Sequence, residues 1–542
     1  MERRRFLGGG ALAGAAACLP RAAWSLEPVP RATPAPFAFE EATLASLQEQ
    51  MQKGALTAAR LLEAYLERID LLDRGGPALR AVIETNPDAP QIAAGLDQER
   101  KAKGPRGPLH GIPILLKDNV GTADRMETTA GSLALVGARP ARDAFLVERL
   151  RAAGAVVMGK ANLSEWANFR STHSVSGWSA RGGQARNPYA LDRNCCGSSS
   201  GSGAGVSANL CAVAVGSETD GSIVCPGSIN GVVGIKPTLG LVSRAGMIPL
   251  AHSQDTAGPM ARTVRDAALL LSALAGADPR DPDTAASAGH VADYAQACRP
   301  DALRGARIGV ARKFWGKDAR VDAVMESVLD VLKKGGAVLV DPVDLSPGND
   351  YEQTELEVLL YEFKADLDAY LAALPQSRVR SLADCIKFNE EHKEVEMPFF
   401  GQELFLQAQE KGGLDTPAYR TALEKNRKLS REGIDGALRT HSLDALLAPT
   451  GGPAWLTDLV GGDHFIGPSS STPPAVSGYP AITVPGGTVF GLPVGITFMG
   501  GAWSEARLIG LAYAYEQATQ HRRPPRLAAS VDLAAGERQR PR

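Results

Sequence analysis

Short apolar runs alternate with amphipathic stretches at both ends of this chain, around a long charged middle, and that rhythm restricts the fold more than any single motif. Residues 43–72 carry Leu47, Met51, Ala58, Leu61, Leu62, Tyr65 and Ile69 at helical spacing, interrupted near Gly54, which predicts two amphipathic helices. The apolar run 111–117 predicts a mostly buried strand ending at Lys117, followed by a helix over 143–153 and a strand over 155–159. A second unit repeats the pattern with strand 307–311, helix 321–334 and strand 337–340. Residues 351–439 read as largely helical with charged faces, after which strands return at 481–485 and 492–498 before a last helix over 505–519. Strands on both sides of a helical middle predict one interwoven α/β domain rather than two in tandem.

The N-terminus reads as an address. Arg3-Arg4-Arg5-Phe6-Leu7 precedes a Gly/Ala stretch ending at Cys18, and Ala22-Ala23-Trp24-Ser25 supplies a small-residue cleavage pattern. This is the order of a twin-arginine export signal over residues 1–25, the alternative being a basic tail. The expected mature domain is then 26–542, with a core over about 42–519 and a loose Pro/Arg-rich tail from Arg522. The apolar stretch falls short of the ~20 residues a membrane span needs, so the mature protein is expected to be periplasmic or secreted and off the membrane.

Charge narrows the partners. Lys and Arg number 58 against 60 acidic residues, a net charge of -2, which gives no field for nucleic acid or an anionic membrane and leaves small molecules or peptides. Besides Cys18 there are six cysteines, four of them crowded at 195, 196, 211 and 225 without the paired spacing or nearby histidines of a zinc site. They read as small buried residues, with a disulfide among them open and unassigned. No metal or cofactor is implied.

The informative stretch runs from Cys195 through Gly197-Ser198-Ser199-Ser200-Gly201-Ser202-Gly203 to Glu218-Thr219-Asp220-Gly221-Ser222. Its small residues let backbone approach other groups closely. A linker would not lead into the apolar runs Val213-Ala214-Val215 and Gly231-Val232-Val233-Gly234-Ile235, and a phosphate loop would need the Gly-Lys-Ser/Thr that is absent here.

These residues resemble the amidase signature family, whose pattern begins with a Gly-Ser-Ser run and continues through an acidic residue, Gly and Ser to an apolar residue and Pro. Here those are Gly197-Ser198-Ser199, Glu218-Thr219-Asp220-Gly221-Ser222 and Pro226. Flanking segments match as well: Gly111-Ile112-Pro113 leading to Lys117-Asp118, Gly159-Lys160-Ala161-Asn162, Arg186-Asn187-Pro188, Gly234-Ile235-Lys236-Pro237, and Tyr479-Pro480-Ala481 with Gly491-Leu492-Pro493. The resemblance covers about residues 42–519. Asp220 and Val224 stand where a glycine and an arginine are common in the family, and with residues 162–170 and 176–183 they are similar to the bacterial peptide amidase subgroup.

The resemblance implies an α/β domain with a central mixed twisted sheet covered by helices on both faces. It implies hydrolysis of carboxamides to acid and ammonia, with C-terminal peptide amides as the leading substrate and small aliphatic or aryl amides as the alternative. A glutamine-dependent amidotransferase subunit shares the motifs, and a non-catalytic binding protein on the same fold is the remaining possibility. In the implied chemistry Ser222 is the nucleophile, and Ser198, in a cis peptide linkage and supported by Ser199, passes its proton to Lys117. A serine hydroxyl needs such a base, and the lysine must be neutral, which burial at a strand end favours. Alternation along the extended segment turns Asp118 away from Lys117. The backbone N–H groups of Thr219, Asp220, Gly221 and Ser222 suit an oxyanion hole. The Asp220 side chain fits either substrate contact or an outward-facing turn.

A Ser-His-Asp triad is the rival, since His110, His173 and His252 lie near the motifs, but no Gly-x-Ser-x-Gly elbow surrounds Ser222. The histidines are read as structural. Trp166, Phe169, Trp178 and Trp455 are candidates for the acyl pocket as well as for core packing. Arg170 and Arg181 fit two roles, recognition of substrate carbonyls or closure of structural ion pairs. A monomer or a homodimer is expected.

Overall fold

In the computed structural model, which describes residues 37–345, 351–465 and 467–533, eleven strands pair in one mixed sheet. From one edge the order is Val82–Thr85, Val156–Ala161, Pro113–Lys117, Val213–Glu218, Thr256–Ala261 and Val233–Lys236. It continues through Ala481–Val489, Leu492–Met499, Ala445–Pro449, Arg307–Val310 and Val338–Val340. The sheet belongs to the unit that begins at Glu41, and the export signal expected at 1–25 lies outside the described residues.

The strands that carry the site are buried along their whole length, as Pro113–Lys117 and Val213–Glu218 both are. They pair in parallel, Ile114 opposite Val213 and Leu116 opposite Val215. Continuous apolar runs of this kind suit a sheet covered on both faces. Pro113 sits at the first strand position, where its missing N–H does least harm to the ladder. Helices flank the sheet; in Ala319–Lys334, Val321, Met325, Val328, Leu329 and Leu332 bury one stripe, and Asp318 caps the N-terminus. The middle of the chain is helical as expected, with Glu352–Ala373 and Pro417–His441 the longest elements. Among the described residues no helix is long and apolar enough to cross a membrane.

The Gly/Ser-rich run proves to be a helix, Ser200–Ser207, with every residue buried. Its small residues answer to packing: a Cβ on Gly201 would sit 2.1 Å from the Ala81 carbonyl oxygen and 2.6 Å from the Asn162 nitrogen. The C-terminal tail departs from expectation. It is docked at least to Ala528, because the Arg522 guanidinium pairs with Glu41 at 2.9 Å and donates to the Ser207 carbonyl at 2.7 Å. Ala528 also accepts from the Leu191 N–H at 2.8 Å. The Pro/Arg composition suggested looseness, but a half-buried arginine with these partners ties the segment down.

Candidate active site

Lys117 ends a central strand and Ser198 stands two residues before the buried Ser200–Ser207 helix. Packing of that helix on the sheet brings Lys117 Nζ to 2.7 Å from Ser198 Oγ, and the Gly197–Ser198 peptide is cis. The same nitrogen reaches Ser217 Oγ at 2.9 Å and the Ser217 carbonyl at 3.1 Å. Ser217 Oγ also accepts from Asn119 Nδ2 at 3.0 Å. Lys117 is wholly buried, and burial pulls its pKa down to about 7 against the opposing pull of Asp255 and Glu218. A lysine of this kind is substantially neutral near pH 7 and can take a proton from a serine.

Asp118 has separate partners. It accepts hydrogen bonds from Thr129 and lies 3.6 Å from Arg181, so the alternation of the strand keeps its charge off Lys117.

Ser222 sits in the turn between the strand Val213–Glu218 and the helix Val224–Ile229, directly after Gly221 at φ 78°. A hydrogen bond from the Ser199 N–H to the Ser222 carbonyl, 3.1 Å long, lays the two serine segments side by side. Ser199 Oγ accepts from the Ser217 N–H at 3.1 Å and donates to the Ser217 carbonyl at 2.9 Å, tying the helix to the strand end. Glu218 Oε2 accepts from the N–H groups of Ile223 and Val224 at 2.7 and 2.9 Å. Among the described residues, the N–H groups of Thr219, Gly221 and Ser222 donate to no protein acceptor. Donors without a protein acceptor are what an oxyanion hole needs. The Asp220 carboxylate accepts from Thr472 Oγ1 at 2.7 Å.

A turn over residues 250–255 holds the loop from below. Asp255 accepts from Thr219 Oγ1 at 2.6 Å and from the Leu250 and Ala251 N–H groups at 2.7 and 3.0 Å. Gln254 Nε2 donates to the Thr219 carbonyl at 3.3 Å. Burial raises the Asp255 carboxyl to about 6. Neither residue, nor Ser217 and Asn119, stood out in the sequence; only Ser217 carried a signal, its position beside Glu218-Thr219-Asp220-Gly221.

The pocket candidates separate. Trp166 lines a small cavity with Asn119, Ser217, Thr219, Ile248 and Leu250. The other three aromatics do not line it. Phe169 packs on Phe363, Trp178 on Phe399 and Phe400, and Trp455 on Phe465 with its Nε1 donating to Asp463. Arg170 is wholly buried, 2.9 Å from Glu165 and over the Phe400 ring, and Arg181 pairs with Glu84 at 2.5 Å. Each arginine thus closes an ion pair, the structural one of its two candidate roles.

The rival triad finds no geometry. His252 Nδ1 does meet a carboxylate, Asp366, at 2.8 Å, but Nε2 faces Glu362 at 3.5 Å where a triad needs a serine. His110 is buried with Nε2 against the Leu96 carbonyl at 2.9 Å, and His173 is exposed beside Glu403. Of the crowded cysteines, Cys196 and Cys225 pair in a disulfide, the alternative that the sequence left open and unassigned; Cys195 and Cys211 are free and buried, as small core residues.

Comparison with known proteins agrees with this geometry. The family model described as Amidase matches residues 60–509. A native peptide amidase from Stenotrophomonas maltophilia, solved by X-ray crystallography, is 53% identical, covering 91% of this chain and 100% of that one with a TM-score of 0.86. A probable amidase from Arabidopsis thaliana is 43% identical over 91% of this chain and 93% of its own. A glutamyl-tRNA(Gln) amidotransferase subunit from Halorhodospira halophila is 34% identical over 90% of this chain and 99% of its own. With the fold, the family match and these relatives together, the chain belongs to the amidase signature family and is a hydrolytic amidase.

Proposed function

We propose that this enzyme hydrolyses the C-terminal carboxamide of peptides to the free acid and ammonia, using Ser222, Ser198 and Lys117. The observation that carries the reading is the 2.7 Å approach of the wholly buried Lys117 Nζ to Ser198 Oγ. Neutral Lys117 accepts the Ser198 proton while Ser198 accepts that of Ser222, whose Oγ attacks the amide carbonyl. The resulting oxyanion takes the N–H groups of Thr219, Gly221 and Ser222, and Asp255 and Gln254 keep that loop in place. Return of the proton through Ser198 releases ammonia, and water then cleaves the acyl-enzyme by the same relay. The peptide preference is supported by 53% identity to the peptide amidase of Stenotrophomonas maltophilia. Supply of ammonia to a partner is the second reading, favoured by the likeness to the glutamyl-tRNA(Gln) amidotransferase subunit. The Cys196–Cys225 disulfide suits an oxidising compartment and supports export over that role.

The test is ammonia release from peptide amides, free amino acid amides, simple aliphatic and aryl amides, and glutamine. Turnover is expected to be highest on peptide amides. Turnover confined to the simple amides, or to glutamine, overturns the substrate assignment.

A further inference from the structure

We infer that the Cys196–Cys225 disulfide is a positioning element of the active site, setting the spacing of Ser198 and Ser222; the inference rests on the Ser198 relay proposed above. The bond joins the residue two positions before Ser198 to the residue three positions after Ser222. Its two halves are 29 residues apart in sequence. On the other side of the serines, the Ser199 N–H donates to the Ser222 carbonyl at 3.1 Å. Disulfide and hydrogen bond close a small ring that contains both serines, and nothing in the ring is longer than four residues on either strand.

The remaining members of the ring are fixed as well. Cys196 is a non-glycine residue at φ 55°, in the left-handed region, and its N–H donates to Asn194 Oδ1 at 2.7 Å. A Cβ on Gly197 would lie 2.0 Å from Ser164 Oγ, so the segment before Ser198 is pressed against its neighbours. On the other half, Glu218 holds the Ile223 and Val224 N–H groups, leaving Cys225 at the start of the short helix Val224–Ile229. The covalent link ties these two separately anchored segments to each other, beside the Ser199–Ser222 hydrogen bond and the Asn230 Nδ2 donations to the Cys195 and Pro226 carbonyls, both at 2.8 Å. Cys196 and Cys225 pack beside Ile229, Ala454 and Trp455. Proton relay between two hydroxyls depends on their spacing, and a misplacement near 1 Å costs roughly 100-fold in rate.

The test measures kcat and KM on a peptide amide for the wild type, Cys196→Ala, Cys225→Ala and the double variant. Enzyme is normalised by fluorophosphonate labelling of Ser222, and melting temperatures are recorded. Wild type is also treated with a phosphine, which supplies two electrons and, with water, becomes the phosphine oxide as the disulfide becomes two thiols. The expected result is a fall in kcat of roughly 10- to 100-fold with KM within about twofold. The fall should be equal in both single variants, the double variant and the reduced wild type, because each breaks the same link. Wild-type kcat per labelled serine, with only a lower melting temperature, would reduce the bond to a stabilising role and overturn the inference. So would additive losses in the two single variants, which would mean that the side chains act separately. In disulfide-intact enzyme, Ser198→Ala separates the two levels: if it is inactive the relay stands whatever the cysteines do, and if it keeps wild-type kcat the relay and the clamp both fall.

Discussion

Lys117 and Asp118 are neighbours in the chain, yet Lys117 Nζ meets Ser198 and Ser217 while the Asp118 carboxylate meets Thr129 and Arg181. This division lets burial lower the Lys117 pKa next to an acid. Had the two side chains shared a face, the carboxylate would have held the ammonium charged and removed the base.

The pH dependence follows from the Lys117 pKa of about 7. Activity requires the neutral form, so kcat/KM on a neutral peptide amide should rise through an acid limb near pH 7 and level off above it. The same group acts on stability. Its folded pKa lies below the ordinary lysine value of 10.5, so between about 7 and 10.5 the unfolded chain binds more protons and Lys117 costs less stability as pH rises. Urea melts at pH 7 and pH 9 should therefore show the stability of wild type gaining relative to Lys117→Met. Parallel pH dependences in the two proteins would place the charge elsewhere.

Gly221 precedes Ser222 at φ 78°, and a Cβ there would lie 3.0 Å from Ser471 Oγ. Gly221→Ala should disturb the donors of the oxyanion hole and lower kcat by about 100-fold, with a smaller effect on KM. Steady-state kinetics on a peptide amide reads both numbers; an unaltered kcat would remove the loop from the mechanism.

Arg170 is buried against Glu165, and burial together with Glu396 raises the Glu165 carboxyl. Arg170→Met leaves that carboxyl without its cation, at about 3–5 kcal/mol. The loss should be greater at pH 8 than at pH 5, because without its cation Glu165 must bind a proton that the unfolded chain binds only in acid. Denaturant melts check the stability, and KM of the folded fraction should stay within about twofold. A tenfold rise in KM with little loss of stability would return Arg170 to the substrate.

Local pattern carried much of the fold. The last helix, Glu505–Thr519, runs where its apolar spacing puts it, and the buried strand ends at Lys117 as the run 111–117 predicts. What the sequence concealed depends on distance along the chain. Cys196 and Cys225 are 29 residues apart among four crowded cysteines, and nothing local selects that pair. Asp255 reaches Thr219 across 36 residues through a turn with no motif of its own. Arg522 sits in a Pro/Arg-rich segment that reads as loose, and only the placement of Glu41, 481 residues earlier, shows why it is not. The Lys117–Ser198 contact spans 81 residues, and the family pattern suggested it where spacing alone could not.

The proposed mechanism stands on a neutral lysine, and no histidine, as the base. Ammonia release from a peptide C-terminal amide at pH 8 decides this, with Lys117→Ala compared against His110→Ala and His252→Ala. The expected result is a loss of about 100- to 10,000-fold for Lys117→Ala, with kcat of the folded histidine variants within about threefold of wild type. Retention of activity by Lys117→Ala, with its loss in either histidine variant, would contradict it.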